Sequence, residues 1–244
     1  MEQLGVLGLT LLGLAVLVGS GTQRLTGLGF ALVSSPFLVV LLGPFEGVLV
    51  ANALSLVANL IVLAQTWRDV ELRKALLLTV PALAAVVPGA LVARSLPAPV
   101  LAIAVGGLVL LALLVVTFSE QARLLRGTPG ALAAGAMSGF MNVTAGVGGP
   151  ALTLYALSSQ WAHRPFVATA QLFFALSNAG SLAAKGWPRL TPTAWVVAGL
   201  ALVVGIVAGH RLSAVVSQAQ ARRMVVGLAI AGSTATVVKG LVEL

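Results

Sequence analysis

The chain has 244 residues, of which 59% are hydrophobic and only 8% are charged, and its formal net charge is +8 at pH 7. Soluble globular domains carry about 25% charged residues, so this composition excludes a soluble domain and predicts an integral membrane protein. The apolar stretches are continuous rather than alternating, which indicates transmembrane helices and not a barrel. The sequence contains no cysteine, which excludes disulfides and thiolate chemistry.

Eight apolar units follow one another along the chain. The first, residues 4–42, is long and is interrupted by polar residues and glycines, and a second interrupted unit covers residues 130–158. The other six are predicted to be plain helices, most of them near the roughly 20 residues that span hydrocarbon. They cover residues 47–66, 75–93, 98–118, 165–184, 193–209 and 224–238.

The two interrupted units share a motif. Each has a Ser-Gly pair, beginning at Ser20 or Ser138, and a threonine six residues after that serine, Thr26 or Thr144. A Gly-x-Gly follows in each copy, and the next plain helix carries two amide side chains seven residues apart. These residues are Gly27, Gly29, Asn52 and Asn59 in the first copy, and Gly146, Gly148, Gln171 and Asn178 in the second.

The duplication predicts two homologous repeats of four units each. The first repeat covers residues 1–118, a linker covers 119–129, and the second repeat covers 130–244. The repeats are parallel if each interrupted unit crosses the membrane, and inverted if it folds back as a re-entrant hairpin. Arg24 is left out of the count because it lies within an interrupted unit. Of the other thirteen Lys and Arg residues, the hairpin arrangement places nine on one side of the membrane and four on the other, whereas the crossing arrangement places eight and five. The stronger bias favours inverted repeats, with both termini outside and the linker in the cytoplasm.

The interruptions are the predicted binding site. Irregular backbone at membrane depth is tolerated only where protein or a watery cavity satisfies it. Pro150, after Gly149, is well placed to begin a half-helix whose N-terminus would favour an anion. Close helix packing through small residues is the other explanation for these glycines. The amides either line a permeation path or bond the helices together, and both roles are compatible.

Charged residues add one candidate. Arg24 lies within the first interruption, where a cation would pair with an anion unless its side chain extends to the membrane surface. No acidic residue is central, so coupling to H⁺ or Na⁺ has no evident carboxylate, and Glu46 is the acid nearest to a repeat motif. The predicted substrate-binding residues are Gln23, Arg24, Thr26, Gly27, Gly29, Asn52, Asn59, Asn142, Thr144, Gly146, Gly148, Gly149, Gln171 and Asn178.

Enzymatic function is not expected. His163 and His210 do not have metal-ligand spacing, and the chain has no nucleophile elbow or phosphate-binding loop. We therefore expect no cofactor, no metal and no nucleic acid; the expected partners are a small anion and the lipid bilayer.

The segments TGLGFALVSSPFLVVLLG and SGFMNVTAGVGGPALTLYAL, each followed by an amide-bearing helix, resemble the sulfite exporter TauE/SafE family, also called the toluene-sulfonate uptake permease family. The resemblance extends over nearly the whole chain. It implies a multi-pass transporter of the cytoplasmic membrane that moves sulfite, sulfoacetate or another sulfonate. Alternating access between the repeats is the expected mechanism. An anion channel and a membrane accessory subunit without transport activity are the alternative functions.

Overall fold

The computed structural model describes the backbone of residues 4–26, 29–118, 125–212 and 214–244, and their side chains except those of residues 24–26, 29, 115–118, 218 and 222. Within these ranges the chain forms ten α-helices and no β-strand, as predicted. They are α1 (Val6–Thr26), α2 (Gly29–Leu42), α3 (Pro44–Thr66), α4 (Leu72–Ser95), α5 (Ala98–Phe118), α6 (Gly127–Ala145), α7 (Gly149–Ser158), α8 (His163–Lys185), α9 (Pro192–Leu212) and α10 (Gln218–Val242). A single 3-10 turn, Trp67–Asp69, joins α3 to α4.

In the part of the chain that the structure describes, six helices are long and apolar enough to cross a membrane: α1, α3, α4, α8, α9 and α10. Shorter apolar stretches lie in α2 and in the described part of α5. The outer face of α4 carries large apolar side chains that are all more than half exposed, which is the surface that lipid would cover; they are Leu72, Leu76, Val80, Val87 and Leu91. The protein is therefore built as a multi-pass membrane protein. The six predicted plain helices coincide with α3, α4, α5, α8, α9 and α10.

Two helical hairpins occupy the positions of the interrupted units. In the first, the hydroxyl of Ser34 donates to the carbonyl of Ala15 at 2.9 Å, and Gly19 lies against Phe30 and Ser34, so α2 runs back along α1. In the second, α7 turns back after α6, and the hydroxyl of Ser138 donates to the carbonyl of Gly148 at 2.7 Å. The turn between α6 and α7 is buried, so the second hairpin ends inside the helix bundle.

The two halves of the chain interlock. The main partner of α1 is α9, that of α6 is α4, and α3 packs against α8 as α5 does against α10. The start of α3 lies beside the end of α8, where Lys185 meets Phe45, and the opposite ends meet where Arg164 pairs with Asp69. This places α3 and α8 antiparallel. Each of these four helix pairs thus joins one half of the chain to the other.

Close contact between α4 and α6 depends on two glycines of α6. A Cβ added at Gly135 would collide with the backbone of Leu78, and one added at Gly139 would collide with the backbone of Ala82. Small residues let membrane helices approach closely, and van der Waals contact then holds them together. Because α6 carries the second interruption, this contact also fixes the position of the candidate site.

We predict that Gly139→Ala destabilises the folded protein, by about 1–3 kcal/mol, because the added methyl group must push α6 away from α4. The matched control is Gly107→Ala in α5, where the added Cβ would meet nothing within 4 Å. That control should be neutral or slightly stabilising, since alanine favours the helix over glycine. Thermal unfolding in detergent measures both; equal melting temperatures for the two variants would contradict the packing argument.

Candidate functional site

The first interruption is shorter than predicted. Helix α1 continues through Gln23 and Arg24 to Thr26, so these residues form its last turn rather than an irregular segment. Gln and Arg are good helix formers, which explains why the helix persists up to the glycines. Gly27 lies outside the described residues, and α2 begins at Gly29. The side chains of Arg24 and Thr26 also lie outside the described set, so their predicted roles stay predictions.

The second interruption is a defined helix ending at Gly146. This residue has φ 74, the left-handed conformation that glycine adopts without strain. The N–H of Gly146 donates to the carbonyl of Asn142 at 2.9 Å, and the N–H of Val147 donates to that of Met141 at 3.4 Å. The first of these bonds, from a left-handed glycine to the carbonyl four residues earlier, is the αL type of helix C-cap. The predicted irregular segment therefore shrinks to Gly146–Gly148, because residues 142–145 remain helical.

Helix α7 begins directly after this turn. Gly149 is its first residue, and Pro150 lies in its first turn, as predicted. Gly148, which precedes the helix, provides no side-chain cap, so the N–H groups of the first turn have no intrahelical acceptor. A methyl group at Gly148 would collide with Ser138, which shows how closely α6 and α7 approach here. The arrangement presents hydrogen-bond donors at the positive end of a helix dipole.

Two buried amide pairs connect the hairpins to the long helices. Gln23 Nε2 donates to Asn59 Oδ1 at 3.0 Å and so joins α1 to α3. Asn142 Nδ2 donates to Asn178 Oδ1 at 2.9 Å and joins α6 to α8. Both pairs are separated by 36 residues in the sequence, and all four side chains are buried. The same hydrogen bond is thus present in both halves of the chain.

The other two predicted amides are also buried. Asn52 lies in α3, and its Nδ2 donates to the carbonyl of Asn142 at 3.4 Å, which brings the two halves together. Gln171 lies in α8 and is fully buried. Thr144 is buried beside them, but its hydroxyl donates to the carbonyl of Phe140 in its own helix at 2.7 Å. The Thr144 hydroxyl is therefore engaged within its own helix, and its predicted binding role stays a prediction.

The end of α6 is capped by side chains from other helices. The last four carbonyls of a helix have no intrahelical donor. The carbonyl of Val143 accepts from Lys185 Nζ at 3.1 Å, and that of Ala145 accepts from the hydroxyl of Ser35 at 2.7 Å. These bonds replace the water that would satisfy a helix end at a protein surface. They tie the end of α6 to α8 and α2.

Buried polar atoms without a hydrogen-bond partner occur on several of the described helices, among them Thr79, Ser177 and Ser233. Near the amide pairs they are Gln23 Oε1 in α1 and Asn52 Oδ1 and Ser55 Oγ in α3. Asn52 and Ser55 lie on the same face of α3 as Asn59, since spacings of three and seven residues are close to whole helical turns. An unmade hydrogen bond at a buried group costs about 1–3 kcal/mol, so a polar ligand at this face of α3 would improve the energy.

Sequence reasoning missed Lys185. In the sequence it follows directly after the predicted helix 165–184, where a lysine would be expected to face water. In the structure its side chain is only 5% exposed and lies against the end of α6. The signal that would have found it is the continued spacing of Gln171, Asn178 and Lys185, which follow one another every seven residues in α8. In α3 the same spacing gives Asn52, Asn59 and Thr66, so the last position differs in charge.

Polar contacts between the halves close the bundle at the end of α3. Arg164 pairs with Asp69 at 2.8 Å, and Trp161 Nε1 donates to Glu71 Oε1 at 2.9 Å. The Lys74 ammonium, hydrogen-bonded to Glu71, lowers the pKa of that carboxyl from its ordinary 4.5; burial opposes this, and the Trp161 hydrogen bond adds to it. Glu71 therefore stays ionised, and the contact stays intact, throughout the neutral range.

The opposite end of α3 borders a cavity of about 410 Å³. Its walls come from the connection between α2 and α3, the end of α4 and the start of α5. The lining residues are Leu42, Gly43, Pro44, Phe45, Glu46, Ala93, Arg94, Leu96, Ala98 and Leu101. Glu46, the acid singled out from the sequence, thus borders the cavity, and its Oε2 accepts from the backbone N–H of Arg189 at 3.1 Å. No cluster of three metal-ligating side chains occurs among the residues that the structure describes.

We predict that the Gln23–Asn59 hydrogen bond couples α1 to α3 by about 0.6–2 kcal/mol, the range for polar contacts between membrane helices. A double-mutant cycle with Gln23→Ala and Asn59→Ala should give this value as the departure from additivity. The control cycle combines Gln23→Ala with Asn178→Ala, residues that belong to different pairs and should add independently. Additive unfolding free energies in the first cycle would show that the bond contributes nothing.

Comparison with protein-family models gives one match. The sulfite exporter TauE/SafE model matches residues 11–236. This range includes nearly all of the first hairpin, the whole second hairpin, the four amides of the two hydrogen-bonded pairs, and Lys185. No curated protein and no solved structure matches the chain significantly. The matched range covers nearly all of the 244 residues. The protein therefore belongs to the sulfite exporter TauE/SafE family.

Proposed function

We propose that the protein is a carrier that moves a small sulfur-containing or organic anion, such as sulfite or a sulfonate, across the cytoplasmic membrane by alternating access. Family membership supports a membrane transporter of sulfur-containing anions rather than an enzyme. The arrangement of the buried polar groups supports the cargo class, the site and the mechanism.

The observation that carries the proposal is the buried polar face of α3 beside the amide pairs. The Ser55 hydroxyl is buried without a protein partner and can donate, whereas Gln23 Oε1 and Asn52 Oδ1 are acceptors that an oxyanion satisfies only through a proton of its own. The end of α6 and two long helices, α3 and α8, converge on this region. A buried polar group without a partner destabilises a protein, which supports a ligand that occupies this place during function.

Several donors are available to an anion at this place. The Ser55 hydroxyl is free to donate, and the Asn52 amide makes only one long bond, at 3.4 Å, which it can exchange for a ligand. The first turn of α7 adds backbone N–H groups and the positive end of its dipole. Several hydrogen bonds of moderate strength suit a cargo that must be bound and then leave again.

Two features support an inverted pair of repeats, with residues 1–118 and 130–244 as the two units. Equivalent hydrogen bonds recur at Gln23–Asn59 and Asn142–Asn178. The helix pairs α3–α8 and α5–α10, which match each other in the two halves, are antiparallel: Lys185 meets Phe45 in the first pair, and Gly240 meets Pro99 in the second. Helices related by an axis in the membrane plane run in opposite directions, and the two hairpins would then be re-entrant from opposite sides.

Alternating access is supported by the difference between the two ends of the bundle. At the end that carries Asp69–Arg164 and Glu71–Trp161, polar contacts join the two halves. The end that carries Phe45 and Arg94 has the cavity of about 410 Å³. We interpret this as one state of a carrier, open toward one side, in which breaking the polar contacts between the halves would open the other.

We predict that Asn52→Ala and Ser55→Ala each weaken sulfite binding about tenfold or more, since a hydrogen bond to a charged group contributes about 1.5–3 kcal/mol. Isothermal titration of the purified protein with sulfite, sulfoacetate and simple carboxylates measures this. The matched control is Thr66→Ala, at the end of the same helix, where the hydroxyl donates to the carbonyl of Val62 within α3. The control should bind sulfite as the unmodified protein does.

Two outcomes would count against the proposal. A folded protein that binds none of these anions would contradict the cargo class. Unchanged affinity in both the Asn52 and Ser55 variants, alongside unchanged Thr66→Ala, would place the anion elsewhere in the molecule.

A further inference from the structure

Lys185 is a buried lysine with no carboxylate of the described residues within ion-pair distance. Its Nζ donates to the carbonyl of Val143 at 3.1 Å and lies 4.6 Å from the ring centre of Phe45. Across the described ranges, no carboxylate oxygen comes within ion-pair distance of this nitrogen. An ammonium has three donors, and only one of them has an acceptor here. Buried charges in proteins are normally paired, so the site is incomplete as it stands.

The contact with Val143 does not by itself explain an unpaired charge. Lys239 makes the same kind of contact at the end of α2, where its Nζ donates to the carbonyl of Val40 at 2.8 Å. Lys239, however, is partly exposed and has Glu243 at 3.7 Å as a counter-charge. Two lysines thus cap the C-terminal ends of the two hairpin helices α2 and α6, and only Lys185 lacks a carboxylate.

Lys185 lies between the amide network and the cavity. Ser181, one helical turn before it, is a second acceptor for Asn142 Nδ2, at 3.4 Å, so Lys185 continues the polar face of α8. On its other side, Phe45 both contacts the ammonium and lines the cavity. Arg94 also lines the cavity, and its Nη2 donates to the carbonyl of Ala184, the residue before Lys185. Cationic groups therefore extend from the cavity to the amides.

We propose that Lys185 is the cationic contact of the transported anion, and that an oxyanion arriving from the cavity accepts hydrogen bonds from its two unused N–H donors before it reaches Asn142 and Asn178. The inference rests on the proposed transport function and assigns the charge recognition within that site to the second half of the chain. A negative oxygen at this position neutralises the buried ammonium, so the anion and the lysine stabilise each other. Neutral sulfur compounds of similar shape gain nothing from this contact and are rejected.

The test is titration of sulfite into four purified variants. Lys185→Gln can still donate to Val143 but has no charge, and its affinity for sulfite should fall by about 10- to 100-fold, as when one partner of a buried charge pair is removed. Lys185→Arg keeps the charge and should stay within a few-fold of the unmodified protein. Lys239→Gln removes the matched lysine, which already has its counter-charge, and should leave affinity unchanged.

The fourth variant, Lys185→Met, keeps the test decisive if Lys185→Gln does not fold. Replacing a buried charged side chain by an apolar one of similar volume is often neutral or stabilising, so this variant is expected to fold. Its affinity for sulfite should fall by about 10- to 100-fold, as for Lys185→Gln. Affinity equal to that of the unmodified protein in either variant would overturn the role of Lys185 alone. An unmodified protein that binds no sulfite would overturn the proposed function itself.

Discussion

The fold depends on how one helix ends inside the bundle. Helix α6 ends at Gly146, in a buried turn and not at a water-exposed surface, so its last carbonyls need donors from neighbouring helices. Ser35 and Lys185 supply those donors from α2 and α8. In hydrocarbon each unsatisfied group would cost several kcal/mol, so these side chains stabilise the second hairpin.

The same requirement explains why structure and binding are combined in one region. The amide pairs Gln23–Asn59 and Asn142–Asn178 hold the hairpins against α3 and α8, and they also bring polar groups to the centre of an otherwise apolar bundle. Polar groups that remain without partners, such as the Ser55 hydroxyl, are then available to a ligand. The two explanations given by the sequence for these amides, helix bonding and lining of a path, are therefore compatible.

Much of the fold could be predicted because it follows from local physics. Hydrophobic length located the plain helices, and Gly146 and Pro150 marked the end of α6 and the first turn of α7. The exact extent of the interruptions was not predictable, since a helix continues to the first residue that breaks it. The sequence also did not indicate that the hydroxyl of Thr144 bonds within its own helix or that Lys185 is buried, because both depend on which helix packs against which.

The central claim is that a polar site between the hairpins carries an anion across the membrane, one molecule per conformational cycle. Counterflow of radiolabelled sulfite in proteoliposomes tests it most directly. A carrier predicts that unlabelled sulfite trapped inside drives transient accumulation of labelled sulfite above its outside concentration, at a rate that saturates. Conductive flux without accumulation would indicate a channel, and no flux from folded, reconstituted protein would indicate a subunit that does not transport; either result would contradict the account.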